Sequence, residues 1–375
     1  MLRRHKRLIN MATHTSPETL SYRAAPGVVY GESYRTLVKA CKAGGYALPA
    51  VNVTGTNTIN AVLEAAAEAR SDVVIQLSNG GARFFAGEGL RDIETARTLG
   101  AVSAARHVHS LAQHYGICVV LHTDHANRSL VPWVESLIAC SEAEYEKCGI
   151  PLFSSHMLDL SEESLASNLG ECERILKRLS PIGMSLEIEL GVTGGEEDGV
   201  GSDIDEVDNA RLYTQPEDVA TAFESLSRLG HFSVAAAFGN VHGVYAPGNV
   251  KLRPEILRAS QLLVRERYKT EENPLDLVFH GGSGSDKSDI AQAITYGVFK
   301  MNIDTDTQFA FASAVGDFVS ANSTAFRHQI DPDTKAPYKK LYDPRKWLRA
   351  GERRMVERVK EAFSDLGSIG RTISK

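Results

Sequence analysis

From about residue 47 onward, short apolar and β-branched runs alternate with amphipathic helical patterns. Eight runs read as strands: Ala47–Val53, Val73–Ser78, Ile117–Thr123, Leu152–Met157, Met184–Leu190, Ser233–Phe238, Leu275–His280 and Val298–Ile303. They are hydrophobic throughout, as strands buried on both faces should be. Between them a helical period is plain. Leu165, Leu169, Cys172, Leu176 and Leu179 recur at spacings of four and three, so one helix face is apolar. Ser161 is the expected N-cap of that helix, with Glu162 and Glu163 in a first turn where the macrodipole favours them. Another helix is expected to open at Thr214-Gln215-Pro216-Glu217, with Pro216 near its first position.

Eight strand–helix units over roughly 275 residues match the size of an α/β TIM (β/α)8 barrel. An open, doubly wound sheet is the competitor. It should carry a Gly-x-Gly-x-x-Gly turn after its first strand, and the chain after Val53 reads Thr-Gly-Thr-Asn-Thr-Ile-Asn instead. After about Asn322 the alternation stops. A polar stretch, Asp331–Lys340, leads into a final helix from Pro344 to about Leu366. The expected division is an N-terminal extension over residues 1–25, read as disordered, a barrel over 26–322, and a C-terminal helical extension over 323–375 packed on the barrel.

Composition narrows the function. Of 375 residues, 43% are hydrophobic and 23% charged, which fits a globular protein with a large core. Lys plus Arg total 41 against 47 Asp plus Glu, and the net charge of -6 with no long basic stripe argues against nucleic acid as a partner. No apolar run approaches the ~18 residues of a membrane span. Cys41, Cys118, Cys140, Cys148 and Cys172 are scattered, with no Cys-x-x-Cys pair, so a disulfide scaffold or thiolate zinc site is not expected. The compartment reads as reducing and cytoplasmic. Arg3, Arg4, Lys6 and Arg7 give a basic start without the apolar segment of a secretory signal. An organellar presequence is the alternative reading of that start, and an upstream extension ahead of Met11 the blander one.

In a barrel of this kind chemistry gathers where strands end. The third strand ends His122-Thr123-Asp124-His125 and the fourth runs to His156-Met157-Leu158-Asp159. The fifth carries Glu187-Ile188-Glu189 and leads into Gly194-Gly195-Glu196-Glu197-Asp198-Gly199. The sixth ends Gly239-Asn240-Val241-His242-Gly243, the seventh His280-Gly281-Gly282-Ser283-Gly284-Ser285, and the eighth Asn302-Ile303-Asp304-Thr305-Asp306. Six consecutive strand ends therefore carry groups that bind metal, bind phosphate or move protons. His125, His242 and His280 with Glu189 suit Zn²⁺ in a catalytic site, which leaves a position for substrate. His107, His109 and His114 fall in a helical segment and read as surface or packing residues, while His156 is ambiguous. The glycines after His280 let backbone N–H groups close around an anion, and Asn302, Asp304 and Thr305 on the next strand strengthen that reading. The seven carboxylates between Glu196 and Asp208 lack the ligand spacing of a calcium loop. A glycine-hinged lid carrying one carboxylate over the metal is the better expectation.

The strings Leu-His-Thr-Asp-His, Gly-Gly-Glu-Glu-Asp-Gly, Phe-Gly-Asn-Val-His-Gly-Val-Tyr, Phe-His-Gly-Gly-Ser-Gly-Ser and Met-Asn-Ile-Asp-Thr-Asp resemble the class II, zinc-dependent fructose-bisphosphate aldolases in their long form. The resemblance spans roughly residues 26 to 367. It implies that His125, His242 and His280 bind zinc, with Glu189 and Asp159 as carboxylates beside it, and it allows a second metal position. It implies that Asp124 exchanges a proton with the C4 hydroxyl and that Glu197 handles the C3 proton of the three-carbon ketone phosphate. Gly243, Gly281, Ser283, Asp304 and Thr305 match the phosphate cradle. Val241, Gly243, Gly281 and Ser283 match a monovalent cation site, for Na⁺ or K⁺. Asn52, Ser78 and Asn302 match substrate contacts. Arg345 resembles an arginine that reaches the neighbouring subunit's phosphate, which implies a homodimer, and Lys339 is placed to assist it.

The implied reaction is reversible cleavage of fructose 1,6-bisphosphate to dihydroxyacetone phosphate and glyceraldehyde 3-phosphate, with zinc as Lewis acid and carboxylates as acid and base. A lysine Schiff base is the other aldolase chemistry, and Lys300 is the one lysine that falls within a barrel strand. Its neighbours read as phosphate contacts, so that route is not preferred. Two alternatives stay open: an aldolase for another ketose bisphosphate, such as tagatose 1,6-bisphosphate, and a catalytically inactive homologue kept for binding. A zinc hydrolase on the same barrel would want His-x-His on the first strand, where there is no histidine.

Overall fold

The computed structural model describes residues 22–191, 213–240, 252–281 and 285–375, and the backbone of 195–197 and 200–202. In chain order the elements are β1 (Gly27–Val28), α1 (Gly31–Gly44), β2 (Leu48–Asn52), α2 (Thr56–Ala69), β3 (Val73–Leu77), α3 (Asn79–Ala86), α4 (Ile93–Tyr115), β4 (Cys118–Thr123), α5 (Val131–Cys148), β5 (Ser155–Leu158) and α6 (Leu165–Leu179). They continue with β6 (Ser185–Leu190), β7 (Gly195–Glu197), β8 (Val200–Ser202), α7 (Pro216–Leu226), β9 (Phe232–Ala236), α8 (Glu255–Tyr268), β10 (Leu277–Phe279), α9 (Lys287–Thr295), β11 (Val298–Ile303), α10 (Thr305–Ala321), α11 (Ser323–Arg327), α12 (Lys339–Tyr342) and α13 (Pro344–Asp365).

Strands β2, β3, β4, β5, β6, β9, β10 and β11 pair in parallel in that circular order, and β11 returns to β2. The barrel is closed, so none of its eight strands is left as a sheet edge. These are the eight strands that the apolar runs predict. The helices wrap the outside, and their apolar faces share one cluster with the outward faces of the strands. Inside, a second cluster joins α1 (Tyr34, Leu37, Val38, Cys41) to Leu48, Ala50, Val74, Cys118, Val120, Ala235, Val278 and Phe299. The floor of the barrel is therefore apolar and plugged by α1. Moving two residues along the strands, the inward positions become Asn52, Gln76, His122, Glu187, Glu189, His280 and Asn302, all buried. That change from apolar to polar along single strands creates the site.

Two local departures have physical reasons. The fourth run begins as a strand only at Ser155. Ser154 instead uses its hydroxyl, accepting from Leu121 N and donating to Val29 O, while β1 takes the ladder place beside β4. Helix α6 is capped by Ser164, not Ser161, and so leaves Glu162 and Glu163 outside its first turn. Ser161 donates instead to Asp159 Oδ1 at 2.7 Å. In β11 the register with β10 shifts at Phe299, which aligns Lys300 with Val278. Pro216 stands at the start of α7 as expected.

Helix α13 lies against α2 and α10. Met355, Val356, Val359, Ala362 and Phe363 enter the outer core cluster, and Arg349–Glu64, Lys360–Glu68 and Arg358–Asp306 ion pairs fasten the polar flank. The chain then folds back under the barrel. Asp72, 1% exposed, accepts from Cys118 N, Thr372 Oγ1 and Ile373 N, and Ser374 bridges to Ala24. Among the described residues, no helix is long and apolar enough to cross a membrane.

Candidate active site

Strands end at one rim, and several end on glycine. After β10 the chain turns at Gly281 with φ 60°, and after β6 at Gly191 with φ 81°, a region that disfavours a Cβ. These turns free His280 and Glu189, just before them, to point inward.

Asp124 follows β4. Its Oδ2 accepts from Asn52 Nδ2 at 3.0 Å and Gln76 Nε2 at 2.8 Å, and its Oδ1 accepts from Asn302 Nδ2 at 3.2 Å. Three carboxamides from β2, β3 and β11 thus hold one carboxylate. Gln76 also donates to Asn52 Oδ1, which fixes that pair. Burial alone would raise the pKa of Asp124, but the positive charge of His125, Lys300 and His280 and the bond from Asn52 outweigh it, and the carboxyl stands below its ordinary value.

The next residue begins the metal-suited cluster. His125 Nδ1 lies 3.1 Å from Asp159 Oδ2 and 3.6 Å from Glu189 Oε2. His280 Nδ1 lies 3.4 Å from the same Glu189 oxygen, and the two imidazole rings meet at 4.8 Å between centroids. One ligand atom from each of Asp124, His125 and His280 lies within 4.8 Å of the others, and the same holds for His125, Asp159 and Glu189. Burial lowers the pKa of His125, yet Asp124, Asp159 and Glu189 raise it well above 6.5. For His280 burial is likewise overcome, by Glu189 and Glu187, and the ring reaches about 9. The site thus favours positive charge at its centre. The imidazoles of His125 and His280 with the carboxylates of Asp159 and Glu189 are a donor set that fits Zn²⁺. Asp159 is held in turn by Ser161.

Below this layer, Glu187 accepts from His280 Nε2 at 2.8 Å and from Lys300 Nζ at 2.9 and 2.8 Å. His122 Nε2 is 3.7 Å away, and its Nδ1 is hydrogen-bonded to Ser155 Oγ. The Lys300 amine is therefore engaged by both carboxylate oxygens inside the barrel. This removes the accessible neutral amine that a Schiff base requires.

Ser78 Oγ accepts from Gly81 N and caps α3. Asp304 precedes α10 and accepts from Gln308 Nε2, and Thr305 opens that helix directly after β11. Lys339 is exposed in α12, and Arg345, with 88% of its side chain exposed, pairs with Asp343. His242, Val241, Gly243 and Ser283 lie outside the described residues. Of Glu197 only the backbone is described, in a hairpin where β7 pairs antiparallel with β8. On α4, His107 and His109 bond to Asn60 Oδ1 and Leu152 O, and His156 bonds to Thr123 Oγ1, so none joins the cluster. Gln76, Glu187 and Lys300 are the inward residues whose part the motif reading misses. The signal was in the strand period: Glu187 shares the inward face with Glu189, and a buried carboxylate needs a counter-charge.

A closed parallel barrel whose rim gathers imidazoles and carboxylates around one point defines a barrel enzyme with a site suited to a divalent metal. The chain belongs to the family of class-II fructose-bisphosphate aldolases, whose sequence model matches residues 32–371. It is 54% identical over 351 residues to fructose-bisphosphate aldolase of Campylobacter jejuni, covering 92% of this chain and 97% of that one. It is 51% identical over 349 residues to fructose-bisphosphate aldolase class 2 of Escherichia coli, with the same coverage. The crystal structure of the Campylobacter jejuni aldolase superposes with a TM-score of 0.84 over 92% of this chain and 97% of that one.

Proposed function

We propose that this chain cleaves fructose 1,6-bisphosphate reversibly to dihydroxyacetone phosphate and glyceraldehyde 3-phosphate, with Asp124 as the group that takes the C4 hydroxyl proton. The observation that carries this reading is the Asp124 carboxylate itself, held by Asn52, Gln76 and Asn302 beside His125 and His280. A carboxyl kept below its ordinary pKa is ionised at neutral pH and ready to accept a proton as the C3–C4 bond breaks. His125, His280 and His242 would hold zinc, with Glu189 and Asp159 beside it, and bound zinc would supply Lewis-acid polarisation of the ketone oxygen. Glu197 handles the C3 proton. Gly243, Gly281, Ser283, Asp304 and Thr305 receive the ketone-end phosphate, a placement supported by the N-terminus of α10 opening at Thr305. Val241, Gly243, Gly281 and Ser283 take a monovalent cation.

A homodimer completes the site in this reading. Two features support it: Arg345 projects into solvent, and α10 leaves Phe309 72% exposed. Arg345, with Lys339, then serves the partner's phosphate. Five free cysteines fit a reducing, cytoplasmic setting.

The test is cleavage of fructose 1,6-bisphosphate by purified protein before chelation, after it, and with zinc restored. Chelator-sensitive activity rescued by zinc is expected. Chelator-resistant activity trapped by borohydride would overturn the site, and zinc uptake without cleavage would move the substrate to another ketose bisphosphate.

A further inference from the structure

We infer that the buried Glu187–Lys300 pair is the positioning device for His280, fixing which ring nitrogen faces the metal site. This rests on the metal reading above and extends it to residues one layer deeper.

The geometry is directional. His280 Nε2 donates to Glu187 Oε1 at 2.8 Å, so a proton is held on Nε2, and Nδ1 is the nitrogen that faces Glu189 Oε2 at 3.4 Å and gives up its proton to bind metal. An imidazole whose one nitrogen is pinned to a carboxylate has a set tautomer and ring orientation. Glu187 could swing away or rotate its head if held by one bond. Lys300 Nζ prevents this by bonding both oxygens, at 2.9 and 2.8 Å. His280, Glu187 and Lys300 are 1%, 2% and 2% exposed, so no solvent competes for these bonds. Glu187 and Lys300 lie in β6 and β11 and His280 directly follows β10, and the register shift at Phe299 aligns Lys300 with Val278 in β10. A lysine and glutamate whose only task was barrel stability would be replaceable by apolar residues. The bond of Glu187 to a rim histidine, with Lys300 holding Glu187, gives the pair a second task.

Glu187→Gln separates the tasks, because the amide is isosteric. The Lys300 ammonium claims the amide oxygen, which turns the amide NH₂ toward His280 Nε2. Two donors then face each other, and the ring is driven to the tautomer that carries its proton on Nδ1. Zinc affinity, read by competition with a chromophoric chelator, is expected to fall 10- to 100-fold, the usual cost of disturbing a group behind a metal ligand. In Glu187→Gln/Lys300→Met the amide oxygen is released to face His280, and part of the affinity should return. The His280 ¹⁵N resonances of the zinc-loaded protein should show a protonated Nε2 in wild type and in the double variant. Wild-type zinc affinity and ¹⁵N signals in Glu187→Gln would overturn the inference. A double variant with no recovery would overturn the part given to Lys300. Failure of the wild-type chain itself to take up zinc would overturn the metal reading first, and this inference with it.

Discussion

Gln76 Nε2 donates to Asp124 Oδ2 at 2.8 Å, from β3 to the residue that follows its neighbour β4. With Asn52 and Asn302 it fixes the carboxylate at both oxygens. Asp124→Ala should keep the fold and zinc but lose cleavage by at least about 100-fold, the scale of a general acid–base contribution. Gln76→Leu removes one charge-assisted bond and should cost about tenfold in kcat. Zinc content and kcat, measured together, check both; full activity in Asp124→Ala would remove the proposed base.

His125 is bracketed by Asp159 and Glu189 at 3.1 and 3.6 Å. His125→Ala should lose zinc and activity together, as read by metal analysis of dialysed protein alongside the assay. Normal turnover in a zinc-free variant contradicts the metal assignment.

Arg345 pairs only with Asp343 two residues away in this chain and is otherwise open to solvent among the described contacts. Arg345→Ala should raise KM for the bisphosphate with less change in kcat. The chain should also sediment as a dimer. An unchanged KM argues against this arginine in the site.

Asp276 gives a pH dependence of folding. It accepts from Lys42 Nζ at 2.5 Å and His231 Nε2 at 2.8 Å beneath the barrel. Burial would raise its carboxyl, but His231 and Lys42 outweigh that and hold it below 3.8. The unfolded carboxyl keeps its ordinary value, so the stabilisation is complete above about 3.9 and is lost as the pH falls through the lower folded value. Urea unfolding at neutral and acid pH should show a shallower acid loss in Asp276→Asn than in wild type. Parallel curves would assign the acid sensitivity elsewhere.

Much of the fold and rim was legible because each rested on a local pattern. Continuous apolar runs announce strands covered on both faces, and β11 matches its run, Val298–Ile303, at both ends. Histidines and carboxylates at strand ends announced His125, Asp159, Glu189 and His280, which the barrel brings together. What stayed illegible depends on pairing across the barrel. Ser161 reads as a helix cap until Asp159 is seen to claim its hydroxyl. The Ser154 hydroxyl displaces a strand start only because β1 arrives from over a hundred residues earlier, with Ser154 and Val29 separated by 125 positions. Glu187 and Lys300 stand 113 positions apart, and no spacing rule links them.

The clasp of Asp72 on Thr372 and Ile373 has a consequence for synthesis. During translation the strand entering β3 emerges almost three hundred residues before its last two hydrogen-bond donors, which are separated from it by 300 and 301 positions. Until then a carboxylate destined for burial lacks most of its donors, and burying it unsatisfied costs about 1–3 kcal/mol or more. Closing the barrel floor over Asp72 before residues 372 and 373 are available therefore carries that cost, and their arrival removes it.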